Sequence, residues 1–382
     1  MRAVVIGAGW AGEGHIIGLR DAGVEVVALF GRTPEPTYQR AAELEIADVR
    51  FDWRAGLEEL RPEIVSIATP ADSHRAIAEF AAELGCHVVC EKPLAMNAAD
   101  AWAMRQAVER AGLKHGYAAT GRYAPAIQQT RQLLAEGIIG RIHEIESFAH
   151  LNAPMWRFPY CWVHRLDHGG GILNNLFTHH LAQVLYVTQG AVHAVAGEAH
   201  VLSDQAPVGP TIHDFRQLFV LASTWDPDQA TEWRTADADM AYTVNAQIRL
   251  GDGNLANALF RASVLGSTPQ PEFLTFHGEA GSLYMRGVWV EDDHIQRLMV
   301  GQQDWEEVPI SDAITAGLPD ASNHLQRCWN QFFREFVADL KGEGYAGYPT
   351  FHDGYTAAAV IDIVRKGYDS EALRSEEMNM PS

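Results

Sequence analysis

Short apolar runs alternate with alanine-rich, amphipathic stretches through the first third of the chain. The apolar runs, which have the length of buried strands, lie at residues 2–6, 24–30, 64–68, 87–90 and 114–119. The stretches with helical periodicity lie at residues 10–22, 73–84 and 98–111. Regular alternation of strand and helix predicts right-handed βαβ units, in which a parallel sheet is covered by helices on both faces. We therefore expect an α/β fold with a doubly wound parallel sheet in this part of the chain.

The pattern changes near residue 122. Beyond it, strand-like alternation dominates from about residue 190 to 300, and Gly251-Asp252-Gly253-Asn254 between two such runs is typical of a hairpin. A strand is expected at 138–148, and helices are expected at 126–136, 171–186, 322–340 and 354–368. We predict a first domain at 1–122 and a second, α+β domain with a largely antiparallel sheet at 123–382.

Length and composition narrow the class of protein. The chain has 382 residues, too many for one ordinary core. Its 29 Lys and Arg face 49 Asp and Glu, a formal net charge of -20, which argues against a nucleic-acid partner. No apolar stretch approaches the roughly 20 residues that a membrane helix needs, and the four cysteines do not suggest a disulfide framework. We expect a soluble, cytoplasmic protein without nucleic-acid or membrane partners.

A glycine-rich loop follows the first expected strand and opens the first expected helix. Gly7-Ala8-Gly9-Trp10-Ala11-Gly12 has the pattern G-x-G-x-x-G in the strand–loop–helix context of a dinucleotide-binding site. Gly7 permits the tight turn, Gly9 lets a pyrophosphate approach the backbone, and Gly12 lets helix and sheet pack closely. The helix N-terminus offers N–H groups to the phosphates. We predict an NAD(P)-binding Rossmann domain whose cofactor site also includes Trp10 and Ala11.

The end of the second expected strand bears on the choice between NAD and NADP. Sites that prefer NAD carry an acid there, which bonds the ribose 2′-hydroxyl. In this chain Gly31 stands in that place and Arg32 follows, and a guanidinium forms forked, charge-assisted hydrogen bonds with a 2′-phosphate. We expect NADP to be preferred over NAD. The alternative is an Arg32 that stacks on adenine, which would serve either cofactor.

Three further motifs occur in a recognisable order and spacing. Thr69-Pro70-Ala71-Asp72-Ser73-His74 and Glu91-Lys92-Pro93 each follow an expected strand, and Gly169-Gly170-Gly171 precedes a helix that carries His179. With the glycine loop, these motifs make nearly the whole chain resemble the glucose–fructose oxidoreductase, inositol dehydrogenase and rhizopine catabolism (Gfo/Idh/MocA) family. The resemblance implies an open-faced mixed sheet in the second domain, whose outer side often forms homodimers or homotetramers.

The same resemblance implies roles for individual residues. The nicotinamide would lie between the domains, and Lys92 would reach both its ribose and the substrate. The other implied cofactor contacts are Thr69, Pro70, His74, Glu91 and Arg122. The last of these stands where the family has an arginine near the cofactor.

Oxidation of an alcohol requires a cation that stabilises the developing alkoxide and a base that accepts the proton. Lys92 is the candidate cation and His179 the candidate base, because an imidazole titrates near neutral pH. Asn175 lies four residues before His179, on the same face of the expected helix. Most family members have an aspartate at this position. An amide can orient the imidazole or bind a substrate hydroxyl, but it cannot stabilise an imidazolium by charge, which puts the usual proton relay in question.

The stretch 153–168 is irregular and rich in proline, aromatic and basic residues. Aromatic faces suit the apolar side of a sugar ring, while Arg and His bond its hydroxyls. His164 and Arg165 are therefore candidate substrate contacts, together with Asn175 and His179. The alternative is that the aromatic side chains only anchor the loop to the core. No histidine spacing in the chain supports a metal site.

The sequence leaves three functions open. The leading hypothesis is an NAD(P)-dependent oxidoreductase that transfers a hydride between the nicotinamide and a sugar, inositol or related polyol. The second is an enzyme that uses a bound nicotinamide transiently, during isomerisation, elimination or glycoside cleavage. The third is a non-enzymatic sensor of the dinucleotide, which Asn175 favours and which the presence of Lys92 and His179 opposes.

Overall fold

Six short strands form a parallel sheet at the start of the chain. The computed structural model describes residues 1–265, 272–286, 293–345 and 347–367 and the backbone of 373–374. The strands are β1 Arg2–Ile6, β2 Glu25–Phe30, β3 Val49–Arg50, β4 Ile64–Ile67, β5 His87–Cys90 and β6 His115–Tyr117. Their order across the sheet is β3-β2-β1-β4-β5-β6, and every pairing is parallel. This is the order of a Rossmann-type sheet, so the predicted fold class of this part is confirmed.

Five helices connect these strands. They are α1 Trp10–Asp21, α2 Pro34–Glu43, α3 Trp53–Leu60, α4 His74–Glu83 and α5 Ala98–Arg110. The Asp52 carboxylate caps α3 by accepting the Ala55 N–H at 3.1 Å, and the Asn97 side chain caps α5 by accepting the Asp100 N–H at 2.8 Å. The sequence pattern did not reveal α2, because two prolines in its first turn hide its helical periodicity.

In the described part of the remaining chain, nine strands form a mixed sheet. Its strands are β7 Ile142–His150, β8 Ala191–His200, β11 Ala241–Arg249, β12 Leu255–Ser263, β13 Glu272–Gly278, β14 Gly281–Arg286, β15 His294–Met299, β16 Glu306–Glu307 and β17 Leu373–Arg374, and a separate pair is formed by β9 Gln205–Pro207 and β10 Trp233–Thr235. The order is β16-β15-β14-β13-β7-β12-β11-β8-β17, and among the described residues β7 and β12 are the one pair that runs in parallel. The expected hairpin joins β11 to β12. Strand β7 begins at Ile142 rather than 138, since Gly137 and Gly140 adopt positive φ and form a turn.

One face of this sheet carries the core and the other is open. Along β11, Val244, Ala246 and Ile248 are buried, while Gln247 and Arg249 are exposed. The helices of this part are α6 Pro125–Ala135, α7 Thr178–Thr188, α8 Arg216–Thr224, α9 Asp312–Ala316, α10 His324–Leu340 and α11 Phe351–Lys366. The open-faced mixed sheet is therefore confirmed. Helix α8 departs from the strand-like reading of 190–300, because a short apolar run fits a strand and a helix equally well.

The last two long helices return to the first sheet. Phe332, Phe333 and Phe336 of α10 are buried in one core cluster with residues of β1 and α1. Phe351 and Tyr355 of α11 are buried in a cluster with residues of α4 and α5. The C-terminal part of the chain therefore contributes to both helical layers of the Rossmann sheet, and the domain limits 1–122 and 123–382 stay a prediction. None of the described helices has the length and apolar character to span a bilayer.

Candidate active site

The glycine loop between β1 and α1 forms a cradle at the N-terminal end of α1. Gly7 has a φ of 121°, and a Cβ there would lie 2.2 Å from the Ala68 carbonyl oxygen. A Cβ on Gly12 would lie 1.9 Å from the Gly7 carbonyl oxygen. The backbone therefore requires both glycines. A Cβ on Gly9, the N-cap of α1, would meet nothing within 4 Å, which leaves open space where an anion can approach the helix N-terminus.

Trp10 and Ala11, the first residues of α1, are partly buried. The Trp10 ring stacks on Phe215 with centroids 6.3 Å apart and lies edge-on to Trp329 at 5.3 Å. Phe215 immediately precedes α8. A segment of the second part of the chain thus covers one side of the glycine loop.

Ion pairs flank this aromatic contact. Asp214 Oδ2 lies 3.0 Å from Arg40 Nη2 on α2, and Arg216 Nη2 lies 2.6 Å from Glu13 Oε2 on α1. Arg40 also pairs with Glu13. We call residues 214–216 the clasp. No sequence motif marks the clasp, because only the fold brings it to the glycine loop.

The end of β2 has no room for the acid of an NAD-preferring site. A Cβ on Gly31 would lie 1.9 Å from Thr37 Oγ1. Thr37 is buried, and its hydroxyl donates to the Thr33 carbonyl at 2.6 Å. Arg32 is exposed. The volume that a carboxylate at position 31 would need is therefore filled by Thr37.

His74 forms hydrogen-bond contacts with the loop after β4. This imidazole is fully buried, with Nε2 2.7 Å from the Thr69 carbonyl and Nδ1 3.1 Å from the Leu94 carbonyl. Burial lowers the pKa of His74, so the neutral ring donates to one of these carbonyls. Thr69 accepts the Ser73 hydroxyl at 2.7 Å and Pro70 is exposed. His74 therefore links the loops after β4 and β5, while Thr69 is partly buried and Pro70 lies at the surface.

Glu91 and Lys92 directly follow β5, and their side chains have different partners. Lys92 is partly buried, and its Nζ lies 3.4 Å from Asn175 Oδ1 and 3.5 Å from the Asn175 carbonyl. Burial lowers the pKa of Lys92 and the charge of Glu91 opposes that effect. Glu91 is buried and turned towards α1, where His15 Nε2 lies 3.2 Å from Oε1. Burial alone would raise the pKa of Glu91, but the hydrogen bond from His15 and the charge of Lys92 outweigh it, and the pKa is lowered.

The triple-glycine loop holds the Asn175 amide in one orientation. Asn175 Nδ2 donates to the Gly171 carbonyl at 2.8 Å and to the Gly169 carbonyl at 3.2 Å. Both amide hydrogens are then used on backbone oxygens, so Oδ1 is the atom that faces Lys92 Nζ. The side-chain assignment follows from this hydrogen-bond pattern.

Asp239, which the sequence did not single out, organises the start of this helical segment. Its Oδ1 accepts the Leu173 N–H at 2.6 Å, and its Oδ2 lies 3.3 Å from Arg365 Nη2. A Cβ on Gly171 would lie 2.5 Å from Asp239 Oδ2, so glycine is needed for this approach. Burial raises the pKa of Asp239, with Arg365 opposing. Asp239 lies far from Asn175 along the chain, and no local pattern marks it.

His179 lies on α7, directly after a π-helical turn at Leu173–Phe177. It is buried, and burial together with the nearby positive charge of Lys92 holds the pKa of His179 well below its usual range. The imidazole is therefore neutral at neutral pH. His180 faces the mixed sheet instead, where Ser147 Oγ and Glu272 Oε1 each lie 3.0 Å from one of its ring nitrogens.

His164 forms hydrogen bonds within the aromatic-rich stretch 153–168. This imidazole is fully buried, with Nε2 2.8 Å from the Met155 carbonyl and Nδ1 3.2 Å from the Cys161 backbone nitrogen. Arg165 is partly exposed and forms a pair with Asp167 at 2.5 Å. The geometry of His164 supports the alternative of a loop anchor. Substrate contacts by His164 and Arg165 stay a prediction.

Arg122 is buried and contacts the C-terminal part of the chain. Its Nη1 donates to the Gly347 carbonyl at 2.8 Å, its Nη2 lies 3.4 Å from Asp353 Oδ1, and its guanidinium lies 4.9 Å from the Tyr186 ring centroid. These contacts tie the end of the Rossmann sheet to the C-terminal helices. A direct cofactor contact by Arg122 stays a prediction.

The structure thus brings an ammonium, an amide oxygen and a neutral imidazole together. Such a set can bind a hydroxylated molecule, stabilise negative charge on its oxygen and accept a proton. Within the described ranges, no three His, Cys, Asp or Glu side chains are arranged to hold a metal ion.

Two family models match most of the chain. Residues 1–118 match the NAD-binding Rossmann fold of the GFO_IDH_MocA oxidoreductase family, and residues 127–284 match the GFO/IDH/MocA C-terminal domain. The chain belongs to the Gfo/Idh/MocA family of oxidoreductases. The resemblance drawn from its motifs is confirmed, and so is an NAD-binding Rossmann fold.

Curated Gfo/Idh/MocA relatives match parts of the chain. Levoglucosan dehydrogenase of Pseudarthrobacter phenanthrenivorans is 26% identical over 273 residues, 65% of this chain and 62% of that protein. D-apiose dehydrogenase of Paraburkholderia graminis is 36% identical over 140 residues, 36% of this chain and 37% of that protein. The chain therefore spans less than two thirds of the length of these relatives in the matched regions.

Solved Gfo/Idh/MocA structures share the fold over nearly the full length. Levoglucosan dehydrogenase in complex with NADH and levoglucosan has a TM-score of 0.79 and 22% identity, and the match covers 98% of this chain and 99% of that chain. An oxidoreductase domain protein from Kribbella flavida has a TM-score of 0.78 and 22% identity, covering 97% and 98%. At this level of identity the likeness establishes the fold alone.

Proposed function

We propose that this protein is an NAD(P)-dependent oxidoreductase that transfers a hydride between the nicotinamide and a sugar, inositol or related polyol. The observation that carries the proposal is the 3.4 Å contact between Lys92 Nζ and Asn175 Oδ1, close to a neutral His179. Lys92 lies in the region matched by the Rossmann model and Asn175 in the region matched by the C-terminal model. Relatives named as levoglucosan and D-apiose dehydrogenases support the substrate class.

The glycine loop fits a dinucleotide, because Gly9 leaves open space at the N-terminus of α1. A bound nicotinamide supplies the hydride acceptor or donor. Lys92 stabilises negative charge on the reacting oxygen of the substrate, and Asn175 Oδ1 keeps the ammonium in place. His179, whose imidazole is neutral, accepts the hydroxyl proton.

NADP is the preferred cofactor in this proposal. Thr37 fills the space of the acid that would bond a 2′-hydroxyl, and the exposed Arg32 can turn towards a 2′-phosphate. We expect Arg32→Ala to lower kcat/KM for NADP by about 10- to 100-fold, the value of a lost charge-assisted hydrogen bond, and to leave NAD unaffected. Arg61→Ala, which removes an exposed arginine at the C-terminal end of α3, is the control. Equal losses with NAD and NADP would assign Arg32 to adenine stacking.

The function is tested by the absorbance of reduced nicotinamide, with purified protein, NADP or NAD, and a panel of sugars and inositols. Lys92→Ala should lower kcat by about 10²- to 10⁴-fold while dinucleotide binding, measured by calorimetry, is retained. Lys341→Ala, which removes an exposed lysine, should have no effect. Unchanged turnover in Lys92→Ala would remove the role given to this residue.

The same assay separates the two other hypotheses. Cofactor that co-purifies and shows no net reduction during product formation would identify transient use of the nicotinamide. Dinucleotide binding without turnover of any substrate would identify a sensor. A homodimer or homotetramer and a cytoplasmic location remain predictions, which sedimentation and cell fractionation can test.

A further inference from the structure

A buried histidine lies between the glycine-loop helix and the Lys92 loop. His15, on the inner face of α1, is fully buried. Its Nδ1 lies 2.8 Å from Ser66 Oγ on β4, and its Nε2 lies 3.2 Å from Glu91 Oε1. The tautomer protonated at Nε2 satisfies both contacts, since the serine hydroxyl can then donate to Nδ1. The imidazole thus bridges a helix, a strand and a loop.

Glu91 connects His15 to the backbone of Lys92. The carboxylate accepts the backbone N–H of Lys92 at 2.9 Å through Oε2, while Oε1 faces His15. Ser66, His15, Glu91 and Lys92 therefore form one continuous chain of hydrogen bonds. Each carboxylate oxygen thus has a partner inside the protein, and the cofactor contact implied for Glu91 stays a prediction.

Packing alone does not account for a buried imidazole and carboxylate. The His15 ring lies edge-on to Trp329 and Phe333, with centroids 6.1 Å and 5.2 Å away. Burying a carboxylate with a polar partner usually gives no net stability over replacement by well-packed apolar side chains. The polar pair therefore points to a role in placing the residue to which it is attached.

We propose that His15 is a positioning residue, which holds the Glu91 carboxylate against the Lys92 backbone and thereby fixes the direction and the charge environment of the Lys92 side chain. This inference rests on the proposed function only in taking Lys92 as the reacting cation. His15 itself is enclosed by protein and touches no reacting atom.

The charges around this chain of contacts determine the expected effect. The groups that face Glu91 from neighbouring elements are His15 on α1, His74 on α4, Cys90 on β5 and Tyr117 on β6. The pKa values of Cys90 and Tyr117 are raised by burial and then by the Glu91 charge, so both stay neutral. The groups that face Lys92 are Glu91 and the neutral His179. Glu91 is thus the one anion, within the described residues, whose charge supports the Lys92 ammonium in this set.

The lysine content of the chain allows a direct measurement. There are only four lysines, Lys92, Lys114, Lys341 and Lys366, and the last three are exposed. Protein labelled with carbon-13 at lysine Cε should give four signals, and Lys92→Arg assigns the signal of interest. Its titration midpoint can then be followed by NMR without any turnover.

In Glu91→Gln the midpoint should move down by about one pH unit, because the charge of Glu91 raises the pKa of Lys92. His15→Leu, which fills the apolar pocket, should shift it in the same direction, and His15→Gln, which keeps a donor, should restore it. Phe333→Leu alters the packing against the same imidazole and should leave the midpoint unchanged. In active protein, the limb of the pH profile that belongs to Lys92 should move with the NMR midpoint.

A Lys92 midpoint that stays put in both Glu91→Gln and His15→Leu overturns the proposal, as does an equal shift in Phe333→Leu. If the midpoint moves and no substrate is turned over, His15 keeps its positioning role and the proposed function fails instead. A melting temperature measured for each variant separates loss of the fold from loss of positioning.

Discussion

Replacing Asn175 by the aspartate usual in the family should destabilise this protein. The substitution keeps the shape, but one carboxylate oxygen would then face the Gly171 and Gly169 carbonyls at the 2.8 and 3.2 Å now spanned by hydrogen bonds. Attraction to Lys92 Nζ at 3.4 Å is about 5 kcal/mol at an effective dielectric constant of about 20, and desolvation of the carboxylate costs a similar several kcal/mol. The loss of two hydrogen bonds and the repulsion between the carboxylate oxygen and the two carbonyl oxygens stay uncompensated. Together they cost about 2–4 kcal/mol.

Thermal unfolding of Asn175→Asp, followed by calorimetry, measures this penalty. The penalty belongs to the ionised carboxylate, so it should shrink as the pH falls and the new carboxyl takes up a proton that it can donate to Gly171. Asn257→Asp adds the same charge on an exposed strand position and should stay within about 0.5 kcal/mol of the parent. A variant as stable as the parent at pH 8 would refute the reasoning and show that attraction to Lys92 decides the outcome.

Three further outcomes are expected. Gly9→Ala should fold normally and lose dinucleotide affinity, because its Cβ meets nothing within 4 Å of the protein. Gly12→Ala should lower the melting temperature, because its Cβ would lie 1.9 Å from the Gly7 carbonyl oxygen. Equal melting temperatures of the two variants would contradict this prediction. Arg216→Ala opens the exposed pair with Glu13 and should speed dinucleotide release by about 2- to 5-fold at low salt, with no difference at high salt in stopped-flow quenching of tryptophan fluorescence. The free energy of unfolding should decline as the pH falls below about 6.5, the pKa of an unfolded histidine. The unfolded chain takes up protons below that pH, whereas imidazoles whose pKa is lowered in the folded protein stay neutral. A melting temperature that is unchanged down to pH 5 would be inconsistent with the lowered pKa values. The histidines concerned are His74, His87, His115, His164 and His179.

The parts of the fold that could be predicted are those in which local pattern and tertiary role agree. Strand 2–6 and the helix that opens at Trp10 were expected and observed, since a buried parallel strand is continuously apolar and a glycine loop marks the helix start. Helix α8 was missed, because Leu218 is buried while Phe219 is 63% exposed, a pattern set by its neighbours and not by its own periodicity. The return of α10 to the first sheet is equally invisible, since an amphipathic helix does not specify which surface it covers.

The site also contains residues that a local motif marks and residues that only the fold brings together. Motifs identified Lys92 and the triple-glycine loop, because lysine after a buried strand and consecutive glycines are unusual enough to be informative. They could not identify Asp239 or the clasp, whose partners are distant in sequence. His15 lies only three residues beyond Gly12 and is fully buried. Its place on the inner face of α1 was a usable signal, since a histidine among apolar core positions needs polar partners.

The contacts of Asn175 also bear on whether the site is a working one. An asparagine that had merely replaced an aspartate in a site without function would leave its amide hydrogens facing whatever the carboxylate had faced. Here both hydrogens meet backbone carbonyls and the oxygen meets the Lys92 ammonium. The glycine that supplies the shorter of the two backbone contacts is itself shaped by Asp239, whose carboxylate leaves no room for a Cβ at Gly171. Satisfying every polar atom of the amide requires this coordinated arrangement, which favours a site adapted to an uncharged residue over one that has lost its activity.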